Sequence, residues 1–293
     1  MTAGYEAPLV RWYDANARDL PWRRPRASPW SVLVSEIMLQ QTPVARVLAA
    51  HAGWLSRWPA PADLAAVPPA EALRQWGRLG YPRRAVRLHA TAELLVQQHG
   101  GEVPASTAAL RALPGVGSYT AAAVASFAFG QRQAVLDTNV RRVLARLVSG
   151  RPEPAPAASA AEHRLAEALL PDDGRRAARW SVAVMELGAL VCTARRPDCA
   201  ACPVAGKCRW RASGSPPGQA RRRAPRYEGS DRQCRGAILA ALRAAAGPLP
   251  ADALTAAWDD TGQRARALAA LLADGLVTER PDGAVSLPGD PAG

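Results

Sequence analysis

Apolar residues recur at helical spacing along almost the whole chain. In "SPWSVLVSEIMLQQTPVARVLAAHAGWLSRW" they predict two helices broken near Pro43, because proline cannot donate into a helix and clashes with the preceding turn. "ADLAAVPPAEALRQWGRLGY" reads as short helices with a glycine-rich end, and "RRAVRLHATAELLVQQHGG" as an amphipathic helix closed by Gly100-Gly101. "STAALRALPGVGSYTAAAVASFAFG" predicts a helix, a tight turn and a second helix. "AVLDTNVRRVLARLVSG" places Asp137 ahead of a helix with Val140, Val143, Leu144 and Leu147 on one face. After a Pro/Ala loop, "AEHRLAEALLP" and "AARWSVAVMELGALVC" add two more helices. No β-rich segment occurs before residue 275.

The final stretch differs. "RGAILAALRAAA", "ADALTAAW" and "GQRARALAALLADG" predict three helices, and "LVTERPDGAVSLPG" a hairpin turning at Pro281-Asp282-Gly283. Three helices and a hairpin form a winged-helix pattern. The expected partition is residues 29–136 as one helical domain, 1–28 with 137–210 as a second, 211–232 as a basic Pro/Gly-rich linker, and 233–290 as the small module.

The 293 residues hold 37 basic and 25 acidic side chains, a net charge of +12, and a single lysine, Lys207. That balance points to a polyanion such as nucleic acid. Compositional bias toward Ala, Arg and Pro explains arginine in place of lysine but not the basic excess. The chain shows neither a membrane-spanning run nor a signal-peptide pattern, so a cytoplasmic protein is expected; a DNA partner makes it nucleoid-associated, and a monomer is expected.

The chemistry concentrates in four places. In "LPGVGSYTAAA", Gly115-Val116-Gly117 turns between two helices, and glycines there free backbone N–H groups beside a helix N-terminus to hold a phosphate. The same turn also suits tight helix packing alone. Cys192, Cys199, Cys202 and Cys208 are spaced C-x6-C-x2-C-x5-C, which fits either zinc or a [4Fe–4S] cluster; Arg195, Arg196, Lys207 and Arg209 make the loop cationic. Cys234 stands apart. Glu36 lies among Val34, Ile37, Met38 and Leu39, where burial favours a protonated carboxyl suited to general-acid work, unless the residue simply lies on a polar face. Asp137 in "VLDTNV" reads as a helix cap that can also present a carboxylate.

Together, Glu36 in SEIMLQQT, the LPGVGSYTA hairpin, Asp137 in LDTNV and the cysteine loop resemble the helix-hairpin-helix DNA glycosylases with an iron–sulfur cluster, and among them the MutY-type adenine glycosylases. The resemblance covers about residues 10–210. It implies a mainly α fold: a six-helix barrel domain, a helical iron–sulfur cluster domain and, here, a small winged-helix-like C-terminal domain. It implies a [4Fe–4S] cofactor on the four clustered cysteines. The partner it implies is double-stranded DNA with adenine opposite 8-oxoguanine or guanine. Glu36 then protonates adenine N7, Asp137 stabilises the sugar cation, and Tyr119 and Asn139 support that step. Gly115, Val116 and Gly117 grip DNA. Gln41, Thr42, Leu79 and Tyr81 contact or wedge the duplex, although Leu79 and Tyr81 also fit a helix-end packing cluster. Arg18, Trp22 and Arg23 in "RDLPWRR" line the adenine pocket, or form a basic loop with a packed tryptophan. The endonuclease III branch of the superfamily carries a nucleophilic lysine where this chain has Tyr119, and a Schiff base needs an amine.

Three departures stand out. Val182 replaces a polar residue near the adenine edge, and Pro82 replaces a second aromatic after Tyr81. The tail is too short for the Nudix-like domain that reads 8-oxoguanine in the family.

Overall fold

The computed structural model describes residues 3–218, 226–245 and 247–291. Of the linker expected over 211–232, residues 219–225 lie outside the described residues.

The chain runs through α1 (Ala3–Asn16), α2 (Pro29–Leu39), α3 (Val44–Arg57), α4 (Pro61–Ala65), α5 (Pro69–Trp76), α6 (Arg83–His99), α7 (Thr107–Ala112) and α8 (Ser118–Phe129). It continues with α9 (Thr138–Leu147), α10 (Ala160–Ala168), α11 (Gly174–Leu190), α12 (Arg209–Ala212), α13 (Asp231–Ala244) and α14 (Thr261–Ala273). Strands β1 (Thr278–Glu279) and β2 (Val285–Ser286) pair antiparallel, with Thr278 opposite Ser286 and Glu279 opposite Val285. The architecture is mainly helical, as the periodicity predicts.

Local chemistry explains the boundaries. Pro43 caps α3, and α6 closes on Gly100 in the left-handed region with its N–H on the Leu95 carbonyl. Ser159 and Glu162 form a reciprocal capping box on α10. The hairpin turns through Gly283 at φ +79°, with the Asp282 carboxylate accepting from the Ala284 N–H. One expected helix differs: "ADALTAAW" forms a short 3₁₀ turn, Ala251–Ala256, because Pro250 opens it and Leu249 just before is pinned by an antiparallel bridge to Val285. Among the described residues, no helix is long and apolar enough to cross a membrane.

Two compact units result. The first takes in Met1–Val32, Ala105–Ala112 and Val116–Arg221. Its core joins Leu9 of α1, Val140, Val143, Leu144 and Leu147 of α9, and Trp180, Val184 and Leu187 of α11. Gly188 lets α11 approach α9 closely, since a Cβ on it would stand 2.7 Å from Asn139 Cβ and 2.9 Å from its carbonyl oxygen. The second unit takes in Leu33–Pro104, Leu113–Gly115 and Arg222–Gly293. Here Trp54 meets Trp58 and Trp76 edge-on, at centroid distances of 4.7 and 5.7 Å, and Leu64, Leu73 and Leu88 are fully buried. The C-terminal module packs within this unit, on α5.

Candidate active site

Asp137 sits at the N-cap of α9. Its Oδ1 accepts the Val140 N–H at 2.6 Å and its Oδ2 the Asn139 Nδ2 at 2.8 Å. Burial pushes its pKa above the ordinary aspartate value, while these two bonds and the charge of Arg142 oppose the shift. The carboxylate is therefore partly desolvated and oriented. Asn139 is held in turn: its Oδ1 accepts from Arg142 Nη2 at 2.7 Å. Arg142 also donates to the Gly188 carbonyl at 2.6 Å and the Cys192 carbonyl at 2.8 Å. One buried guanidinium thus joins the aspartate's partner to the first residue of the cysteine loop.

The four thiols gather at that loop. Cys192, Cys202 and Cys208 pack against the core of the first unit. Arg146, stacked over Trp210 at 4.7 Å, donates to Cys192 Sγ at 3.4 Å and to the Thr193 and Ala194 carbonyls at 2.7 and 3.1 Å. Burial pushes the Cys202 thiol up to about 11, with contributions from the charges of Cys192, Cys208 and Cys199. Burial likewise raises Cys199, with Cys192 and Cys208 adding to the shift. Among the described residues, no group of three or more His, Cys, Asp or Glu is arranged to hold a metal ion. As a donor set, four cysteines of one loop, with Arg146 beside Cys192, have the chemistry of a thiolate-ligated group. The one lysine is engaged elsewhere: Lys207 Nζ donates to the Gly4 carbonyl at 2.6 Å.

The RDLPWRR segment is fixed by a residue the sequence reading passed over. Glu186 on α11, with a fully buried side chain, accepts from Arg18 Nε at 2.7 Å and Nη2 at 2.8 Å, and from Arg23 Nη1 at 2.6 Å. Although burial opposes it, the arginine partners hold its pKa down to about 2. Trp22 is buried beside them in sequence, and Val182 is half-buried on the same helix. The two guanidiniums are thus oriented by a carboxylate rather than left as a loose basic surface.

In the second unit, Glu36 is buried on α2, 5% exposed, with Leu33, Val34, Ile37 and Met38 buried around it in the helix. It is not on a polar face. The turn at Gly115 has φ +79°, and a Cβ there would meet Arg87 Cβ and Cδ at 3.2 Å, so both backbone conformation and space call for glycine. Its carbonyl accepts from Gln40 Nε2 at 3.4 Å, and Thr91 Oγ1 donates to the Pro114 carbonyl at 2.8 Å. In the first unit, Val116 is buried, Gly117 caps α8 and Tyr119 lies in the first turn of that helix.

Two loops of the second unit share one anchor. Arg84 on α6, 6% exposed, donates from Nη1 to the Ile37, Met38 and Gln40 carbonyls at 3.0, 2.8 and 2.6 Å. From Nη2 it donates to Thr42 Oγ1 and the Gly80 carbonyl, both at 2.9 Å. Its guanidinium also lies over the rings of Trp76 and Tyr81, each at 5.2 Å. Gln41 and Tyr81, one in each loop, are both exposed and both adopt positive φ, +57° and +49°, which is strained for non-glycine residues. Leu79 is placed differently: it is buried, 5% exposed, beneath that loop. Thr42 is buried as an Arg84 partner. Arg84, Arg142, Arg146 and Glu186 carry no motif of their own; only three- and four-residue spacing from known helical faces could have marked them.

The HhH-GPD superfamily of base excision DNA repair proteins matches residues 34–170. An adenine DNA glycosylase of Mycobacterium tuberculosis is 52% identical over 284 residues, covering 96% of this chain and 93% of that protein. The Homo sapiens adenine DNA glycosylase is 43% identical over 217 residues, covering 71% of this chain and 39% of that protein. Among solved structures, a thermostable thymine-DNA glycosylase superposes with a TM-score of 0.65 at 30% identity, covering 71% of this chain and 95% of that one. A non-covalent endonuclease III–DNA complex superposes with a TM-score of 0.59 at 25% identity, covering 70% and 94%.

Proposed function

The chain belongs to the adenine DNA glycosylases of the helix-hairpin-helix base excision repair superfamily, and from that footing we propose that it excises adenine paired with 8-oxoguanine or guanine and stops at the abasic site. The observation that carries this reading is the Asp137 carboxylate, half-buried and oriented by Val140 and Asn139, in a chain whose one lysine amine is bound to the Gly4 carbonyl.

A base in a duplex is out of reach of any side chain, so the adenine is first extruded. Gln41 and Tyr81 enter the stack, with Leu79 and Thr42 supporting their loops, while Gly115, Val116 and Gly117 hold phosphate through backbone N–H groups. Arg18, Trp22 and Arg23, ordered by Glu186, border the base pocket. Glu36 donates a proton to adenine N7, making the base a neutral leaving group. As the glycosidic bond breaks, positive charge develops on the sugar. Asp137 lies ready as an anion whose desolvation strengthens its effect on that cation. Tyr119 and Asn139 support it. Water then attacks C1′ and completes the abasic sugar. No side-chain amine is available to open that sugar by a Schiff base, so strand scission does not follow.

Cys192, Cys199, Cys202 and Cys208 would hold a [4Fe–4S] cluster, which would supply a rigid clip for the cationic loop. Absorbance near about 400 nm and four iron per chain would identify it. We place the protein on genomic DNA in the cytoplasm, as a monomer.

The test is single-turnover cleavage of A:8-oxoguanine, A:G and A:T duplexes, read with and without hot alkali. Alkali-dependent breaks at the adenine of the first two are expected. Breaks without alkali, or none at the adenine, overturn the reading.

A further inference from the structure

The C-terminal module is not a loose appendage: it grips the chain on both sides of one loop. Before that loop lies α5, only eight residues long. So short a helix does not persist on propensity alone. The module satisfies polar groups at both of its ends. The Ala70 N–H, an orphan donor of its first turn, bonds the Pro288 carbonyl at 2.9 Å. The Leu73 carbonyl, in its last turn, accepts from Arg243 Nε at 2.9 Å. Between them Arg74 forks onto Asp290, Nη1 to Oδ1 at 2.8 Å and Nη2 to Oδ2 at 2.9 Å, with the Asp290 side chain 3% exposed. Gly289, at φ +79°, seats directly on Pro68 and Pro69; a Cβ there would be 3.1 Å from each.

After the loop comes Arg83, the first residue of α6, which pairs with Asp274 of the module at 3.2 Å. Arg235 also pairs with Asp274. Between these two grips lie Gly77, Gly80 and Tyr81, all at positive φ, with Tyr81 50% exposed. Arg84 holds this loop from within at the Gly80 carbonyl, and a strained, exposed loop of this kind keeps its shape when its two ends are held as well.

We propose that the C-terminal module is a positioning clamp for the Gly77–Tyr81 loop, with Asp290 and Arg243 as its principal positioning residues, so that the module acts on adenine extrusion rather than on bond cleavage. This rests on the wedge role assigned above to Tyr81. The clamp makes no contact with the base and contributes no reacting atom; it fixes the geometry from which Tyr81 enters the stack.

The test uses the full chain with Asp290→Asn, Arg243→Met and Tyr81→Ala. Single-turnover excision is compared on an A:8-oxoguanine duplex and on the same adenine in an unpaired bubble, where unstacking is cheap. Both clamp variants should slow duplex excision by about tenfold and change bubble excision by less than about twofold. In the Tyr81→Ala background they should add nothing, because both changes act through one step. Equal losses on both substrates, or no loss on the duplex, overturn the clamp. If Tyr81→Ala itself excises from the duplex at the wild-type rate, the wedge reading fails instead. Asp290→Asn is nearly isosteric, so it keeps the comparison valid if Arg243→Met does not fold.

Discussion

Replacing Arg84 with methionine removes the donor on which two loops converge. The buried part of the loss is three bonds, to the Ile37 and Met38 carbonyls and to Thr42 Oγ1. Bonds from a charged donor contribute about 1.5–3 kcal/mol each, but they share one side chain and do not add. The Gln40 and Gly80 carbonyls are partly buried, so water replaces much of their share. Burial already holds the Arg84 pKa down to about 10, so methionine also recovers some desolvation. The net cost expected for leaving these acceptors unpaired is about 3–5 kcal/mol. At roughly 2–4 °C per kcal/mol for a unit of this size, Tm falls by about 10 °C. Urea unfolding followed by circular dichroism measures the free energy. Arg84→Lys keeps the charge but not the planar fork, and should recover less than half of the loss. Released from Arg84, Gln41 and Tyr81 can relax from positive φ, so duplex excision falls as well. An Arg84→Met protein within about 1 kcal/mol of wild type would refute the reasoning, because the loops would then be held by something else.

Gly188→Ala should displace the start of α9, since its Cβ would fall 2.7 Å from Asn139 Cβ; a cost of about 1–3 kcal/mol is expected, with excision reduced more than DNA affinity, read by denaturation and filter binding. Asn139→Ala removes a hydrogen bond to charged Asp137, whose pKa burial already raises. Activity needs the anion and is lost as pH falls through that pKa, so the acidic limb of the rate profile should move to higher pH; a limb moved lower refutes the assignment. Glu186 has the opposite sign: its folded pKa, about 2, lies below the usual 4.5, so its stabilisation is complete above that ordinary value and is lost as pH falls toward 2. The difference corresponds to on the order of 3 kcal/mol, and Glu186→Gln should flatten the acid side of the stability profile measured by thermal melts.

The elements were legible where one face of a helix buries apolar residues. Val140, Val143, Leu144 and Leu147 are buried together as their spacing predicts, and Asp137 caps the helix they lie on. Glu36 was marked by its apolar neighbours, and burial is what it has. The basic excess has an internal share as well as an external one. Arg84, Arg142 and Arg146 are nearly inaccessible and spend their guanidiniums on carbonyls and a thiol, so part of the positive charge is internal scaffolding. No local pattern distinguishes an arginine that binds the chain from one that binds DNA, because the acceptors lie tens of residues away. Leu79 and Tyr81 are two apart in sequence yet differ in exposure, since positive φ at Gly80 and Tyr81 reverses the direction of the chain between them. The 3₁₀ turn at Ala251–Ala256 escaped for a related reason: its helical composition is overruled by the bridge from Leu249 to Val285.

The single lysine has a practical consequence. An amine-reactive dye has one side chain to find, and Lys207 lies between two cysteines of the loop, at the end of a short 3₁₀ turn. Labelling there would neutralise the ammonium that ties this loop to the Gly4 carbonyl of α1. The fluorophore would thus report on the attachment of the first helix, and the extent of labelling at Lys207, separated from the α-amino group by peptide mapping, would follow how often that tether opens.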